Sequence, residues 1–326
     1  MSCSKFAGAG VAVLLALSTI ASPASAQTYP TKPVKIVAPF APGGLVDVLA
    51  RSVGDKLTKS MGQPFVIENR PGAGGNIGAD VVARAEADGY TLLMSSAGIL
   101  AINQFLYAEM SFNPATAFAP VSMVAEMPMI LVVRTQLPAQ TVAQFIDLAN
   151  KQPGGLFYGS PGNGTTGHLG MELFMQATGV KLQHVPYKSA AEAVSAAIAG
   201  QTAGMFDNPP TVMAQIKAGN LRALGVAASQ RLPQLPGVPT MAEAGVPNFE
   251  ASSWFGLAAP AKTPPAVIDR LAEEVAKALQ ERDLQQRFSE SGARLVGNTP
   301  SQFAGYILAE RAKWERIVKA AGIKAQ

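Results

Sequence analysis

The sequence predicts an α/β fold made of two doubly wound units, with the chain leaving the first, building the second and then returning. Three observations carry this. Short apolar runs alternate with longer amphipathic stretches in two separate β-α-β-α-β series, the pattern of parallel strands covered by helices. Two extended segments, Phe118 to Arg134 and Ser253 to Ala258, stand between and after the series. The length of 326 residues suits about two domains of roughly 150 residues each. Two crossings imply a hinge, and a hinge implies two lobes with a cleft between them.

The elements follow in order. Val34 to Ala38 is expected as a strand. Leu45 to Met61 follows as a helix with Val46, Leu49, Ala50, Val53 and Leu57 on one face. Phe65 to Glu68 is a second strand, Ile77 to Ala85 a helix and Tyr90 to Met94 a third strand. The second series runs Val142–Ala149 helix, Gly155–Gly159 strand, Thr166–Ala177 helix, Leu182–Val185 strand and Ala190–Ala199 helix. It ends with Ala203–Phe206 as a strand, Ala214–Ala218 as a short helix and Leu221–Ala227 as a strand. After the second crossing, helices are expected over Pro265–Gln280, Asp283–Ser289 and Ser301–Ala320, with a short strand near Ala293–Val296. The expected division is residues 27–125 with 251–326 as the first lobe and 126–250 as the second.

Residues 1–26 stand apart from this fold. Lys5 opens a run of apolar and small residues from Phe6 to Ile20, and Ala24-Ser25-Ala26 offers a small-x-small cleavage pattern. This is the design of a secretory signal peptide cleaved after Ala26. The run is short of the roughly 20 apolar residues a membrane span needs. Cleavage removes the one cysteine, Cys3, and lowers the net charge of +4 by one. A cysteine-free secreted chain suits a bacterial periplasm.

Composition excludes several classes. Apolar residues are 48% and charged residues 15%, which excludes a disordered chain or a coiled coil. Two histidines and one cysteine leave little for a zinc site or a thiol mechanism, and neither a metal nor a cofactor is expected. No basic block or basic-aromatic interleaving points to nucleic acid.

Glycine loops at strand ends carry the chemistry. Ligands in open α/β sheets bind beyond the carboxyl ends of strands. Pro39-Phe40-Ala41-Pro42-Gly43-Gly44 joins the first strand to the first helix, whose free N–H groups and dipole suit an anion. Asp47 sits in that first turn, either complementing the dipole or touching ligand. Ser160 to His168 repeats the arrangement in the second unit. Its Gly162, Gly164 and Gly167 match G-x-G-x-x-G, yet the next strand ends at Val185-Pro186-Tyr187-Lys188 without the acid that holds a ribose. A small carboxylate or phosphate fits that loop better than a dinucleotide, with Ser160, Thr165 and Thr166 supplying hydroxyls. The loop Arg70 to Gly78 fails both the dinucleotide and the P-loop patterns. Ser95-Ser96-Ala97 and Asp207-Asn208-Pro209-Pro210 also end strands. Asp207 either meets a ligand amine or hydroxyl or caps the next helix. Trp254 is expected in the hinge core or stacked on a ligand.

Several separate stretches, in order, resemble one family. They are Pro39 to Gly44 through Asp47 to Arg51, Glu68 to Gly78, Asp88 to Leu92, Ser160 to Leu169, Val185 to Lys188, Leu235 to Thr240 and Trp254 to Leu257. With these the chain resembles the periplasmic solute-binding receptors of tripartite tricarboxylate transporters, also called Bug receptors. The resemblance implies a two-lobed periplasmic binding protein fold of the Venus flytrap kind, type II, that grips a ligand carboxylate between two loops. It implies a binding set of Phe40, Pro42, Gly43, Gly44 and Asp47 from the first loop. Ser160, Gly162, Gly164, Thr165 and Thr166 come from the second, with Ser95, Tyr187, Ala190 and Asp207 nearby. Ser189 and Glu192 depart from the family pattern, where a glycine and a proline are common. The implied function is capture of a small carboxylate, such as a di- or tricarboxylate, an acidic amino acid or an aromatic acid, and its delivery to membrane permease subunits. A sensor feeding a signalling partner would show the same pocket. A secreted enzyme would have to rest on His168 beside Ser160 and Thr165.

Overall fold

The computed structural model describes residues 29–324; the leader expected at 1–26 lies outside the described residues. Val34–Ala38 forms β1, buried at four of its five positions. It leads to α1 (Leu45–Met61), which turns Val46, Leu49, Ala50, Val53 and Leu57 onto the sheet at helical spacing. Gly62 ends α1 in the left-handed region (φ 71°), its N–H donating to the Thr58 carbonyl. Next come β2 (Phe65–Asn69), α2 (Asn76–Ala83) and β3 (Thr91–Ser96). A π-helical turn over Gly98–Ile102 then runs into α3 (Asn103–Leu106), a segment for which the sequence pattern predicts no element.

The single extended segment expected over Phe118 to Arg134 is two strands in two sheets. These are β4 (Phe118–Pro128) and β5 (Ile130–Arg134), with Met129 between them. The second series is α4 (Val142–Lys151), β6 (Leu156–Ser160), α5 (Thr166–Thr178), β7 (Leu182–Pro186), α6 (Ala190–Ile198), β8 (Gly204–Asp207), α7 (Pro209–Lys217) and β9 (Leu221–Val226). Helix α7 begins at Pro209 rather than Ala214. Proline at the first helical positions loses no hydrogen bond and has its φ already set. The chain returns through β10 (Ser252–Pro260), α8 (Pro265–Leu279), α9 (Arg282–Glu290), β11 (Arg294–Leu295) and α10 (Pro300–Ala321).

The first sheet has the order β11-β4-β10-β3-β1-β2, the second β7-β6-β8-β5-β9. Strand β1 pairs parallel with β2 and β3, and β6 with β7 and β8, as the alternating pattern predicts. The crossing strands make both sheets mixed. Strand β10 runs antiparallel to β3 and β4, and β5 runs antiparallel to β8 and β9. At the crossing the Met129 N–H donates to the Ala251 carbonyl, Ala227 to Met129, and Ala251 to Ala227, at 2.8–3.0 Å. Apolar residues cover both faces of each sheet. Trp254 of β10 and Trp314 of α10 are fully buried, and both indole N–H groups donate to Glu310 Oε2 at 2.9 Å. Trp254 thus belongs to an apolar core of the first sheet. No helix among the described residues is long and apolar enough to cross a membrane.

Candidate functional site

Each sheet brings one glycine loop to the space between the sheets. In the first, Gly43 adopts φ 83°, a conformation that side chains resist, and Gly44 is the N-cap of α1. Asp47 is 3% exposed. Its Oδ2 accepts from the Gly43 N–H at 2.9 Å and Arg51 Nε at 3.0 Å, and its Oδ1 accepts from Asn69 Nδ2 at 2.9 Å. The Arg51 guanidinium leads in pushing the Asp47 carboxyl down to about 2. Asn69 Nδ2 also donates to the Phe40 carbonyl at 3.1 Å. Asp47 therefore ties the loop to α1 and β2. The first N–H groups of α1 beyond Gly43 have no partner within the helix, and they are the loop's free donors.

The second loop is built differently. Ser160 ends β6 fully buried. Its Oγ accepts from the Gly162 N–H at 3.1 Å and lies 2.6 Å from His184 Nε2. Thr165 caps α5, its Oγ1 accepting from the His168 N–H at 3.4 Å. Gly164 has φ 73°, and a Cβ there would lie 2.5 Å from Leu106, so the loop touches α3 of the facing half. Gly167 packs with its Cα against β8, where a Cβ would lie 2.7 Å from the Phe206 carbonyl. The glycine spacing thus serves close packing and turning. Thr166 Oγ1 reaches Ser253 Oγ of the returning strand at 3.1 Å.

Between the halves lies a chamber of about 350 Å³. Phe40, Gly164, Thr165 and Thr166 line it, as do Ser96, Asn103, Tyr107, Ser253 and Trp254. No lysine or arginine is among its described lining residues. Pro42, Gly43 and Gly44 form an exposed rim at the start of α1. Pro42, Gly43, Gly44, Asp47, Ser160 and Gly162 lie outside the chamber's lining, as do Ser95, Tyr187, Ala190 and Asp207. Ser95 is fully buried within β3, and the adjacent Ser96 faces the chamber instead. The Tyr187 N–H donates to the Ser160 carbonyl at 3.0 Å, which keeps it beside the second loop. Ala190 opens α6. There Ser189 caps the helix, its Oγ accepting from the Glu192 N–H, and Glu192 Oε2 accepts from the Lys188 N–H. Asp207 is 5% exposed; Oδ1 accepts from the Asn208 N–H at 2.7 Å and Oδ2 has no partner. Burial pushes its carboxyl up to about 6.

The family model for the tripartite tricarboxylate transporter family receptor, TctC, matches residues 49–323. The chain belongs to this family. BugT of Bordetella pertussis is 39% identical over 315 residues, 96% of this chain and 97% of BugT. Among solved structures, Rpa4515 of R. palustris with adipate is 41% identical, covers 91% of this chain and 99% of its own, and has a TM-score of 0.77. MatC of Rhodopseudomonas palustris with bound malate is 32% identical, covers 89% and 100%, and has a TM-score of 0.74. This TctC-type receptor is thus a solute-binding protein of α/β fold and not an enzyme. The Ser160–His184 contact has the look of a nucleophile and base. In the receptor it is an internal brace, since Ser160 is fully buried and bonded to its own loop. Among the described residues no group of three or more His, Cys, Asp or Glu could hold a metal ion.

Sequence reasoning missed Asn103, Tyr107 and Leu106 of the receptor's chamber because they follow a short apolar run, Gly98 to Ile102, without a readable period. It missed the Ser160–His184 contact because the pairing of β6 with β7 brings the two together.

Proposed function

We propose that this receptor captures a small carboxylate in the periplasm and delivers it to the membrane subunits of a tripartite transporter. The observation that carries this is a pair of glycine loops, one on each sheet, each opening a helix at the space between the sheets. Helix N-termini supply partial positive charge and unpaired N–H donors, so an anion is held without a cationic side chain. The binding set is Phe40, Pro42, Gly43 and Gly44 with Asp47 behind them. It continues with Gly162, Gly164, Thr165 and Thr166, with Ser160 bracing the loop from behind, and Ser95, Tyr187, Ala190 and Asp207 complete the surroundings. The two lobes, 27–125 with 251–326 and 126–250, close on the ligand because it contacts both and so favours the closed state. The leader at 1–26 directs export. Adipate and malate in two relatives support a carboxylate as ligand class.

Two measurements test this. Native mass spectrometry of the purified protein identifies a co-purifying acid. A thermal-shift panel then compares di- and tricarboxylates, acidic amino acids and aromatic acids. An acid at a hundred times its Kd adds about 2.7 kcal/mol, a rise of several degrees. No shift with any acid, and no acid in the purified protein, overturns the reading. Delivery is tested by uptake that needs both this receptor and its membrane subunits.

A further inference from the structure

Behind the second glycine loop lies a stack of aromatic rings that the binding set does not use. His168 of α5 is 4% exposed, and its ring lies on that of His184 of β7 with centroids 3.8 Å apart and planes 13° apart. Tyr158 of β6 lies beside the pair, its ring centroid 4.9 Å from that of His184 and 6.3 Å from that of His168. The two imidazoles hold opposite ends of one loop. His184 Nε2 meets Ser160 Oγ at 2.6 Å, where the loop leaves β6. His168 Nδ1 accepts from the Gly164 N–H at 3.0 Å, just before the loop enters α5. Because Nδ1 accepts, the proton of the neutral ring sits on Nε2. That nitrogen faces Glu172 Oε1 at 3.6 Å, the same oxygen that accepts from Tyr158 Oη at 2.9 Å. Glu172, held by Tyr158, thus sets a carboxylate near Nε2, and its charge favours the Nε2–H tautomer that Gly164 needs. Gly164 is held left-handed here, and its orientation sets where the Thr165 and Thr166 N–H groups point.

We propose that the stacked His168–His184 pair positions the anion-binding loop, with His168 in its Nε2–H tautomer as the acceptor that orients Gly164. This rests on the receptor reading above and adds two residues to it, neither of which lines the chamber. The role needs an acceptor at the Nδ1 position. Phenylalanine keeps a flat ring on His184 but cannot accept. Asparagine places its side-chain carbonyl oxygen near the Nδ1 position.

The test compares wild type, His168→Phe and His168→Asn, with adipate and malate as probes in calorimetry at pH 7.5. Losing the acceptor should weaken binding by about tenfold, and asparagine should restore it to within about threefold. Long-range ¹H–¹⁵N spectra of the ligand-free wild type should give His168 as the Nε2–H tautomer. The Gly164 amide should exchange faster with solvent in His168→Phe than in wild type or His168→Asn. An Nδ1–H tautomer, unchanged Gly164 exchange, or His168→Phe binding as wild type overturns the proposal. The tautomer and exchange readouts need no ligand. They decide the proposal even where wild type binds neither acid, a result that counts only against the receptor reading.

Discussion

Asp207 ends β8 with one carboxylate oxygen bonded to the next N–H and the other buried without a partner. Burial favours the protonated form and outweighs the Asn208 N–H and the nearby Thr211 hydroxyl, which favour the charged one, so its pKa rises from 3.8 to about 6. The folded protein therefore takes up a proton between pH 6 and 4 that the unfolded chain does not. Stability from this group rises as pH falls through that window and is lowest above pH 6. His184 runs the other way. Burial, with His168 beside it, lowers its pKa from 6.5 to about 4. The unfolded chain binds that proton first, so stability falls as pH drops from 6.5 to 4. The two slopes oppose each other over most of the same range. Asp207→Asn removes one of them. The variant should gain roughly 1–3 kcal/mol at pH 7.5 and lose stability more steeply than wild type between pH 6.5 and 4. Urea titrations at a series of pH values check both. Equal or lower stability of the variant at pH 7.5 would mean that the free oxygen is satisfied in solution. A ligand bearing a hydroxyl or amine that reaches this oxygen should bind the variant more weakly, while a plain dicarboxylate should not.

At the scale of elements, strands and helices were legible wherever apolar spacing was regular. Helix α1 runs over the residues that its stripe predicts, because five apolar positions at helical spacing admit one buried face. The π turn and α3 were not legible. Ile99 to Ile102 are all buried, and a fully buried run has no polar side to reveal its period. The directions of β5 and β10 were hidden too, since alternation gives order along the chain and not orientation within a sheet. At the site, both glycine loops were legible from glycine and proline spacing. The inward turn of Ser96 rather than Ser95 depends on where β3 ends, which neighbouring serines cannot disclose. Asp47 shows how a loop and a helix become one unit. Its carboxylate takes donors from Gly43 in the loop, Arg51 one turn on and Asn69 of β2. Asp47→Ala leaves the Gly43 N–H and the Asn69 amide without their acceptor, at a cost of about 1–3 kcal/mol. The loss should show as a lower urea midpoint with an unchanged slope, and carboxylate affinity should fall as the loop loosens. Full affinity in this variant would make Asp47 a stability residue alone.

For the whole molecule, the question is what opposes closure. The sheets join where β4 passes into β5 and β10 returns. In the first sheet β11 lies outboard of β4, and in the second β9 lies outboard of β5. The glycine loops follow β1 and β6, on the other side of this joint. A cavity of about 370 Å³ lies between the outboard edges, lined by Glu126, Ser289 and Arg294 on one side and Leu232 and Gln234 on the other. Gln234 Nε2 donates to the Ser289 carbonyl and so links the two halves there. In the proposed closure, a rotation about the joint that brought the glycine loops closer would swing the outboard edges apart. Such a rotation would stretch the Gln234 bond, which would then favour the open form and subtract from ligand affinity. A net hydrogen bond is worth about 0.5–1.5 kcal/mol. Gln234→Ala should therefore tighten carboxylate binding by roughly 2- to 10-fold, although the residue lies outside the chamber. Calorimetry reads the affinity, and small-angle scattering of the ligand-free variant should shift toward the shape of the bound wild type. Weaker binding in Gln234→Ala would reverse the assignment and put the bond in the closed form.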